Sequence, residues 1–181
     1  DCTISYNTAT WSGGGGEYYV GGSAAAMDRC SFIGNSAVGS GGGQYFGSYS
    51  SIEVNDCNYI DNSARADGGG LFFLSDSNLT IVNSRFTGNS AVDYTYAFLG
   101  TSLSSAAGSL SGVQYIGSGG AVYAGGALYY TYSDTYPYVR TVELRNNSNI
   151  SIENSQFVKN QASFGGALFW RGDGSQVSVI D

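Results

Sequence analysis

The sequence contains no histidine, one proline and few charged residues, and each shortage restricts what the protein can do. Lys and Arg total 7 against 14 acidic residues, so the net charge at pH 7 is −7. Nucleic acids and anionic membranes both attract basic surfaces, so this balance disfavours both as partners. No apolar run approaches the roughly 18 residues of a membrane span, so we expect no spanning segment.

Patterns typical of catalytic and metal sites are also missing. Without histidine the commonest general base is absent, and the aspartates are scattered rather than clustered. Neither the Cys-x-x-Cys spacing of zinc sites nor the Asp-x-Asp spacing of calcium loops occurs. The scattered aspartates include Asp28, Asp56, Asp61, Asp67, Asp76 and Asp93. We therefore expect no enzyme activity, no metal and no cofactor other than N-linked glycans.

The low charge has a consequence for the surface. Only 12% of the residues are charged, which is little for the surface of a free monomer. Such a surface is either covered by glycans, partners or neighbouring subunits, or kept solvated by Ser, Thr, Asn and Tyr. The 15 Tyr and 9 Phe provide enough apolar area for a core, which a disordered glycine-rich chain would lack.

What the chain does contain is a repeat. A six-residue phrase occupies residues 2–7, 30–35, 57–62, 84–89 and 155–160, and its first four copies start 28, 27 and 27 residues apart. An alanine follows each copy, and a glycine pair follows four of them. A constant period in this range is typical of stacked structural units. Alternating apolar positions before each phrase, as in Ile52 and Val54, indicate short strands rather than helices.

Short strands at this period predict an all-β parallel β-helix, or solenoid, in which each unit forms one coil. Coils that pair in parallel place equivalent residues about 4.8 Å apart. We call each stacked set of equivalent residues a ladder. The predicted ladders are Cys2, Cys30 and Cys57; Ile4, Phe32, Tyr59, Phe86, Tyr115 and Phe157; and Asn7, Asn35, Asn62, Asn89 and Asn160. We expect the asparagines to adopt the left-handed conformation at a bend and to bond to one another.

The region between the fourth and fifth copies is irregular. Tyr115, with the glycine pair at Gly125, predicts a degenerate sixth copy, which gives about six coils. The distance from this copy to the copy at residues 155–160 exceeds one repeat, and the extra residues predict a Tyr-rich insertion near 131–146. The alternative is one long loop over residues 93–124. The tyrosines Tyr129, Tyr130, Tyr132, Tyr136 and Tyr138 could stack on sugars, pack on a neighbouring subunit or fold back on their own coil.

The cysteine ladder admits two interpretations. Three cysteines leave at least one unpaired, and stacked positions give a poor angle for a disulfide although their separation suits one. We expect buried free thiols, with one disulfide between neighbours as the alternative. Ser84 and Ser155 occupy the same position further along.

Three sequons mark candidate N-glycosylation sites: Asn78, Asn146 and Asn149. Asn78 and Asn149 each precede a laddered Phe by eight residues, which predicts that both lie at the same corner of the coil.

The two ends of the sequence match the interior of the repeat. The start at Asp1 corresponds to Asp56, and residues 177–181 correspond to residues 52–56. We expect residues 1–181 to form a single β-helix domain that is a segment of a longer solenoid or of a stacked polymer. The expected partner is the chain itself, as a head-to-tail homopolymer, because such contacts propagate without closing.

Two short motifs resemble a known family. Phe-x-x-Asn at Phe32, Phe86 and Phe157, with Gly-Gly-Ala-Leu at Gly125 and Gly165, resembles the repeats of chlamydial polymorphic outer membrane proteins, which also occur in surface proteins of algae. The resemblance implies a right-handed parallel β-helix exposed outside a cell, adhesive or structural in role. We therefore expect an extracellular structural protein that forms a filament or stalk. The alternative is a cell-surface adhesin or carbohydrate-binding module.

Overall fold

The computed structural model describes residues 1–11, 13–74, 76–91, 122–124, 127–132, 140–145, 148–162, 166, 168–170 and 176–180. These residues form 22 β-strands and no helix. Twenty of the strands lie in four parallel sheets of five strands each, and the other two form an antiparallel pair.

The four sheets run along the solenoid, and each coil contributes one strand to each sheet. Sheet A contains β1 (Cys2–Ser5), β5 (Cys30–Ile33), β9 (Asn58–Ile60), β13 (Arg85–Thr87) and β19 (Gln156–Val158). Sheet B contains β2 (Thr8–Ala9), β6 (Ser36–Ala37), β10 (Ser63–Ala64), β14 (Ser90–Ala91) and β20 (Gln161–Ala162). Sheet C contains β3 (Glu17–Tyr19), β7 (Gln44–Phe46), β11 (Leu71–Phe73), β15 (Val122–Ala124) and β21 (Leu168–Trp170). Sheet D contains β4 (Ala24–Asp28), β8 (Ser51–Asn55), β12 (Asn78–Val82), β18 (Asn149–Glu153) and β22 (Gln176–Ile180).

The prediction of an all-β parallel solenoid is confirmed. Strands pair residue by residue at the repeat period, so Phe32 pairs with both Ile4 and Tyr59, and Ile52 pairs with Leu79. Because side chains alternate along each strand, every second residue points into the coil and stacks on its equivalent. The core is therefore built from ladders that pack together into one hydrophobic cluster.

The number of coils differs from the prediction. The structure has five coils, because β13 pairs directly with β19 and the Phe86 and Phe157 rings stack at 5.1 Å. Tyr115 lies outside the described residues, and this stacking leaves no place for it in the ladder between Phe86 and Phe157. The predicted glycine pair at Gly125 also lies outside the described residues, and Val122 is the residue that pairs with Leu71.

The physical reason is that a long connection within one coil costs little free energy. Closing a loop costs free energy that grows only slowly with its length, so a coil can carry insertions while its strands keep their register. Two insertions interrupt the fourth coil, before and after β15. The alternative of one long loop over residues 93–124 falls mostly outside the described residues, and Val122–Ala124, which is described, is a strand.

The Tyr-rich insertion contains an antiparallel pair, β16 (Ala127–Tyr132) and β17 (Arg140–Arg145). It begins before the predicted start at residue 131. Tyr129, Tyr130 and Tyr132 lie on β16, whereas Tyr136, Tyr138 and Asn146 lie outside the described residues.

The bends differ from the prediction in one respect. The laddered asparagines are not the residues with positive φ; the residue before each of them is. These residues are Tyr6, Gly34, Asp61, Gly88 and Lys159, with φ between 53° and 68°. The left-handed residue bends the chain between sheets A and B, and the following asparagine side chain then points into the coil, where Asn35, Asn62 and Asn89 are fully buried.

Candidate functional site

The asparagine ladder is the most extensive polar arrangement in the described part of the chain. Asn62 Nδ2 donates to Asn89 Oδ1 at 2.9 Å and to the Phe32 carbonyl at 2.9 Å. Its Oδ1 accepts from the backbone N–H and the Nδ2 of Asn35, both at 3.0 Å. Each buried amide group is thereby paired without water, which removes the cost of burying it.

The same geometry links the other members. Asn7 donates twice to Asn35 Oδ1 at 3.0 Å, and Asn89 donates twice to Asn160 Oδ1 at 3.0 Å. Each of the first four asparagines donates to the Oδ1 of the next, so Asn35, Asn62, Asn89 and Asn160 each accept from the preceding coil. The ladder therefore has a direction, and its geometry is structural rather than catalytic.

The cysteine and serine positions form a second polar ladder. Backbone N–H groups donate to the next side chain along it: Cys30 to Cys57 Sγ at 3.3 Å, Cys57 to Ser84 Oγ at 3.0 Å, and Ser84 to Ser155 Oγ at 3.1 Å. All three cysteines are free thiols, with Cys2 exposed and the other two buried. Burial raises the pKa of the Cys57 thiol, so it stays protonated at neutral pH.

The two described sequons lie at one corner of sheet D, as their spacing predicts. Asn78 pairs with Asn149 in adjacent coils, and Asn149 Nδ2 donates to Asn78 Oδ1 at 3.0 Å. Both asparagines are exposed, and together with Thr80, Ser151 and Ser178 they line a shallow concavity of about 430 Å³. The acceptor nitrogens therefore face solvent on the outside of the solenoid.

An aromatic ladder on the outer face of sheet C was not predicted from the sequence. The Tyr18 and Tyr45 rings stack at 4.6 Å, and the Tyr45 and Phe72 rings at 5.0 Å. The signal was the recurrence of an aromatic residue every 27 positions, at 18, 45 and 72. Sugars stack on aromatic faces, but here the faces cover one another and Tyr45 presents mainly its edge. Burial, with the neighbouring Tyr18, raises the pKa of Tyr45.

A polar network of Glu17, Gln44 and two tyrosines inside the first coils was also not predicted from the sequence. Gln44 Nε2 donates to Glu17 Oε2 at 2.6 Å, Tyr19 OH donates to the same oxygen at 3.1 Å, and Tyr59 OH donates to Gln44 Oε1. Burial raises the pKa of Tyr59 well above its usual value and that of Tyr19 to about 12. Both phenols therefore remain donors, and the Glu17 carboxylate is held by neutral groups rather than paired with a second acid.

Metal-ligand clusters and membrane-spanning helices are both absent from the described residues. Within them, no three His, Cys, Asp or Glu side chains gather closely enough to hold a metal ion. In the same part of the chain, no helix is long and apolar enough to cross a membrane. Arg29 pairs with Asp1 at 2.7 Å and with Asp28 at 2.6 Å on the exposed surface, where ion pairs contribute little stability.

Comparison with known families agrees with this architecture. The chain matches the family described as the right handed beta helix region over residues 1–180. It therefore belongs to the right-handed β-helix family, which identifies the hand of the solenoid. That family includes pectate lyases and glycosidases, so membership does not by itself distinguish an enzyme from a structural protein. Neither a curated protein nor a solved structure matches the chain.

Proposed function

We propose that this chain is an extracellular structural protein whose β-helical units stack end to end into a filament or stalk. The observation that carries the proposal is the direction of the asparagine ladder. The interior members Asn35, Asn62 and Asn89 each accept at Oδ1 from the preceding coil and donate to the Oδ1 in the following coil. A ladder of this kind can be extended by a coil from another copy with no new type of contact.

The two outer members of the ladder are complementary. Among the described contacts, Asn7 donates to Asn35 but its Oδ1 receives no hydrogen bond. Asn160 accepts from Asn89 and donates to the Phe86 carbonyl, while its backbone N–H makes no described bond. Donors of Asn160 in one copy therefore match the acceptor of Asn7 in the next.

Sheet D provides an apolar contact for the same assembly. Val179 stands in the inward ladder with Ile152, yet it is 67% exposed whereas Ile152 is 2% exposed. In a stacked copy, β4 would cover β22 and place Met27 over Val179. Burial of this apolar area, together with strand pairing, would stabilise the junction.

The extracellular location rests on the resemblance of the repeats to chlamydial surface proteins and on the exposed sequons. We include N-glycans on the sheet D corner in the proposal. A carbohydrate-binding adhesin draws less support, because the outer aromatic ladder covers its own ring faces. Polysaccharide cleavage also draws less support, because Glu17 is surrounded by neutral donors.

A pair of charge substitutions tests the stacking. Val179→Lys places an ammonium group in the proposed junction, whereas Ser178→Lys places the same charge on the outer face of the same strand, where Glu53 already occupies the equivalent ladder position. Sedimentation velocity over a range of concentrations should show long assemblies for the unaltered chain and for Ser178→Lys, and monomers for Val179→Lys. Equal assembly of both variants, or monomers of the unaltered chain at high concentration, would refute stacking through this end.

A further inference from the structure

The first two members of the cysteine ladder differ from the rest. Cys2 and Cys30 are direct partners in the parallel pairing of β1 and β5, and their sulfur atoms lie 2.9 Å apart. Elsewhere along this ladder a backbone N–H donates to the next side chain. At the first step the described contact is between the two sulfur atoms instead, while Cys30 Sγ keeps its contact with the Asp28 carbonyl at 3.4 Å, so it is the Cys2 thiol that is directed at Cys30.

We propose that Cys2 and Cys30 form a reversible disulfide that fastens the first coil to the second. A disulfide needs a sulfur separation of about 2.05 Å and a Cα separation of about 4.4–6.8 Å. Parallel strands hold paired Cα atoms about 4.8 Å apart, which satisfies the second condition without moving the backbone. The two side chains must rotate to close the remaining gap of about 0.9 Å and to bring the Cβ–S–S–Cβ dihedral to about 90°.

Cys57 is the competing partner for Cys30, and its burial disfavours it. Cys57 Sγ accepts from the Cys30 backbone N–H at 3.3 Å and donates to the Asn55 carbonyl at 3.1 Å. Its side chain is 1% exposed, so a dissolved oxidant does not reach it. Cys2 is exposed and provides the point of attack.

The oxidant in this proposal is a small dissolved disulfide such as oxidised glutathione. The Cys2 thiolate attacks one of its sulfurs, forms a mixed disulfide and releases one small thiol. Cys30, after losing its proton to solvent, attacks Cys2 Sγ and releases the second small thiol. Two protein thiols are thereby oxidised, one small disulfide is reduced to two thiols, and the electrons balance.

The surroundings of Cys2 make this exchange slow at neutral pH. The hydrogen bond with Cys30, followed by burial and by the charges of Cys30 and Glu17, raises the pKa of Cys2 to about 11, although the Asp1 amino group acts in the opposite direction. Only the thiolate attacks, so little of the reactive form exists near pH 7. The thiols therefore persist unless an oxidising buffer is supplied for long enough.

Peptide mapping tests the proposal on the full chain. After equilibration in buffers of graded oxidised and reduced glutathione, free thiols are alkylated and the protein is digested. We expect a linked peptide containing Cys2 and Cys30, a mass loss of about 2 Da for the two hydrogens, and alkylation of Cys57 after unfolding. A linkage of Cys30 to Cys57, a link between two chains through Cys2, or three alkylated cysteines in the most oxidising buffer would overturn it.

Serine variants supply matched controls, because serine already occupies this ladder at Ser84 and Ser155. Cys57→Ser should retain the mass loss, whereas Cys30→Ser should abolish it. Hydrogen exchange of β1 should slow at least several-fold in the oxidised chain, since the bond prevents the edge strand from detaching. Unchanged exchange in a chain that carries the linkage would contradict the fastening role.

Discussion

At the scale of single residues, the asparagine ladder shows how a polar side chain can form part of a core. Asn62 is fully buried, yet its amide has a partner for both hydrogens and for its oxygen. Hydrogen bonds between neutral groups contribute modestly when they are made and cost considerably more when one partner is lost. The ladder should therefore be sensitive to any change that removes donors while keeping the shape.

Asn62→Asp is such a change. It retains the acceptor for Asn35 but removes both donors and places a carboxylate against Asn89 Oδ1 and the Phe32 carbonyl. We expect the free energy of unfolding to fall by about 3 kcal/mol or more at pH 7. Because burial favours the protonated form, the introduced carboxyl has a raised pKa in the fold, and part of the loss should be recovered as the pH falls to about 4. Urea unfolding at both pH values measures this.

Asn58→Asp is the matched control, since it makes the same change in the same coil on the outward side of β9. A surface substitution of this kind should alter the free energy of unfolding by about 0.5 kcal/mol or less. Equal destabilisation by the two variants would show that the ladder contributes nothing beyond general charge effects.

At the scale of elements, the stacking of coils brings two N-glycosylation sequons together at one corner of sheet D. Asn78 and Asn149 are separated by 71 residues in sequence but lie in adjacent coils because two insertions intervene. Parallel pairing holds them about 4.8 Å apart, and two branched glycans that start so close compete for the same volume.

Glycan occupancy should therefore be exclusive at this corner. In chain produced by cells that N-glycosylate, we expect each molecule to carry a glycan on Asn78 or on Asn149 but not on both. Asn78→Gln should raise the occupancy of Asn149, and glycopeptide mass spectrometry measures both sites.

Ser151→Ala is the control, because it removes the Asn149 sequon while leaving that asparagine in place. It should restrict modification at this corner to Asn78. Molecules with glycans on both asparagines, found in intact-mass spectra of the folded protein, would contradict exclusive occupancy.

At the scale of the whole molecule, the 27-residue period predicted the parallel β-helix. Each strand residue of a coil pairs with the equivalent residue of the following coil, so the period of the sequence is the length of one coil. Phe32, Tyr59 and Phe86 could be aligned from sequence, since equal spacing leaves one consistent register. The interval from Phe86 to Phe157 could not be divided into coil residues and inserted residues from the sequence, because the length of an insertion carries no information about strand pairing. Tyr115 was assigned a coil from its spacing and from the glycine pair at Gly125, and the direct stacking of Phe86 on Phe157 corrects this assignment.

Two parts of the candidate site were inaccessible to sequence reasoning for a different reason. Glu17 and Gln44 occupy a ladder that is apolar at Leu71, and nothing in their spacing indicates that Gln44 bridges Glu17 to Tyr59. The approach of Cys2 to Cys30 depends on side-chain rotation at one step of a ladder, whereas the repeat predicts only that the two residues stack.

The central claim is that one copy continues the ladders of the next, and helical image reconstruction of the assembled protein tests it most directly. We predict coils that continue at about 4.8 Å across every junction, with Asn160 of one copy facing Asn7 of the following copy. Filaments in which copies meet side by side, or a sample that contains monomers alone at every concentration, would contradict the account.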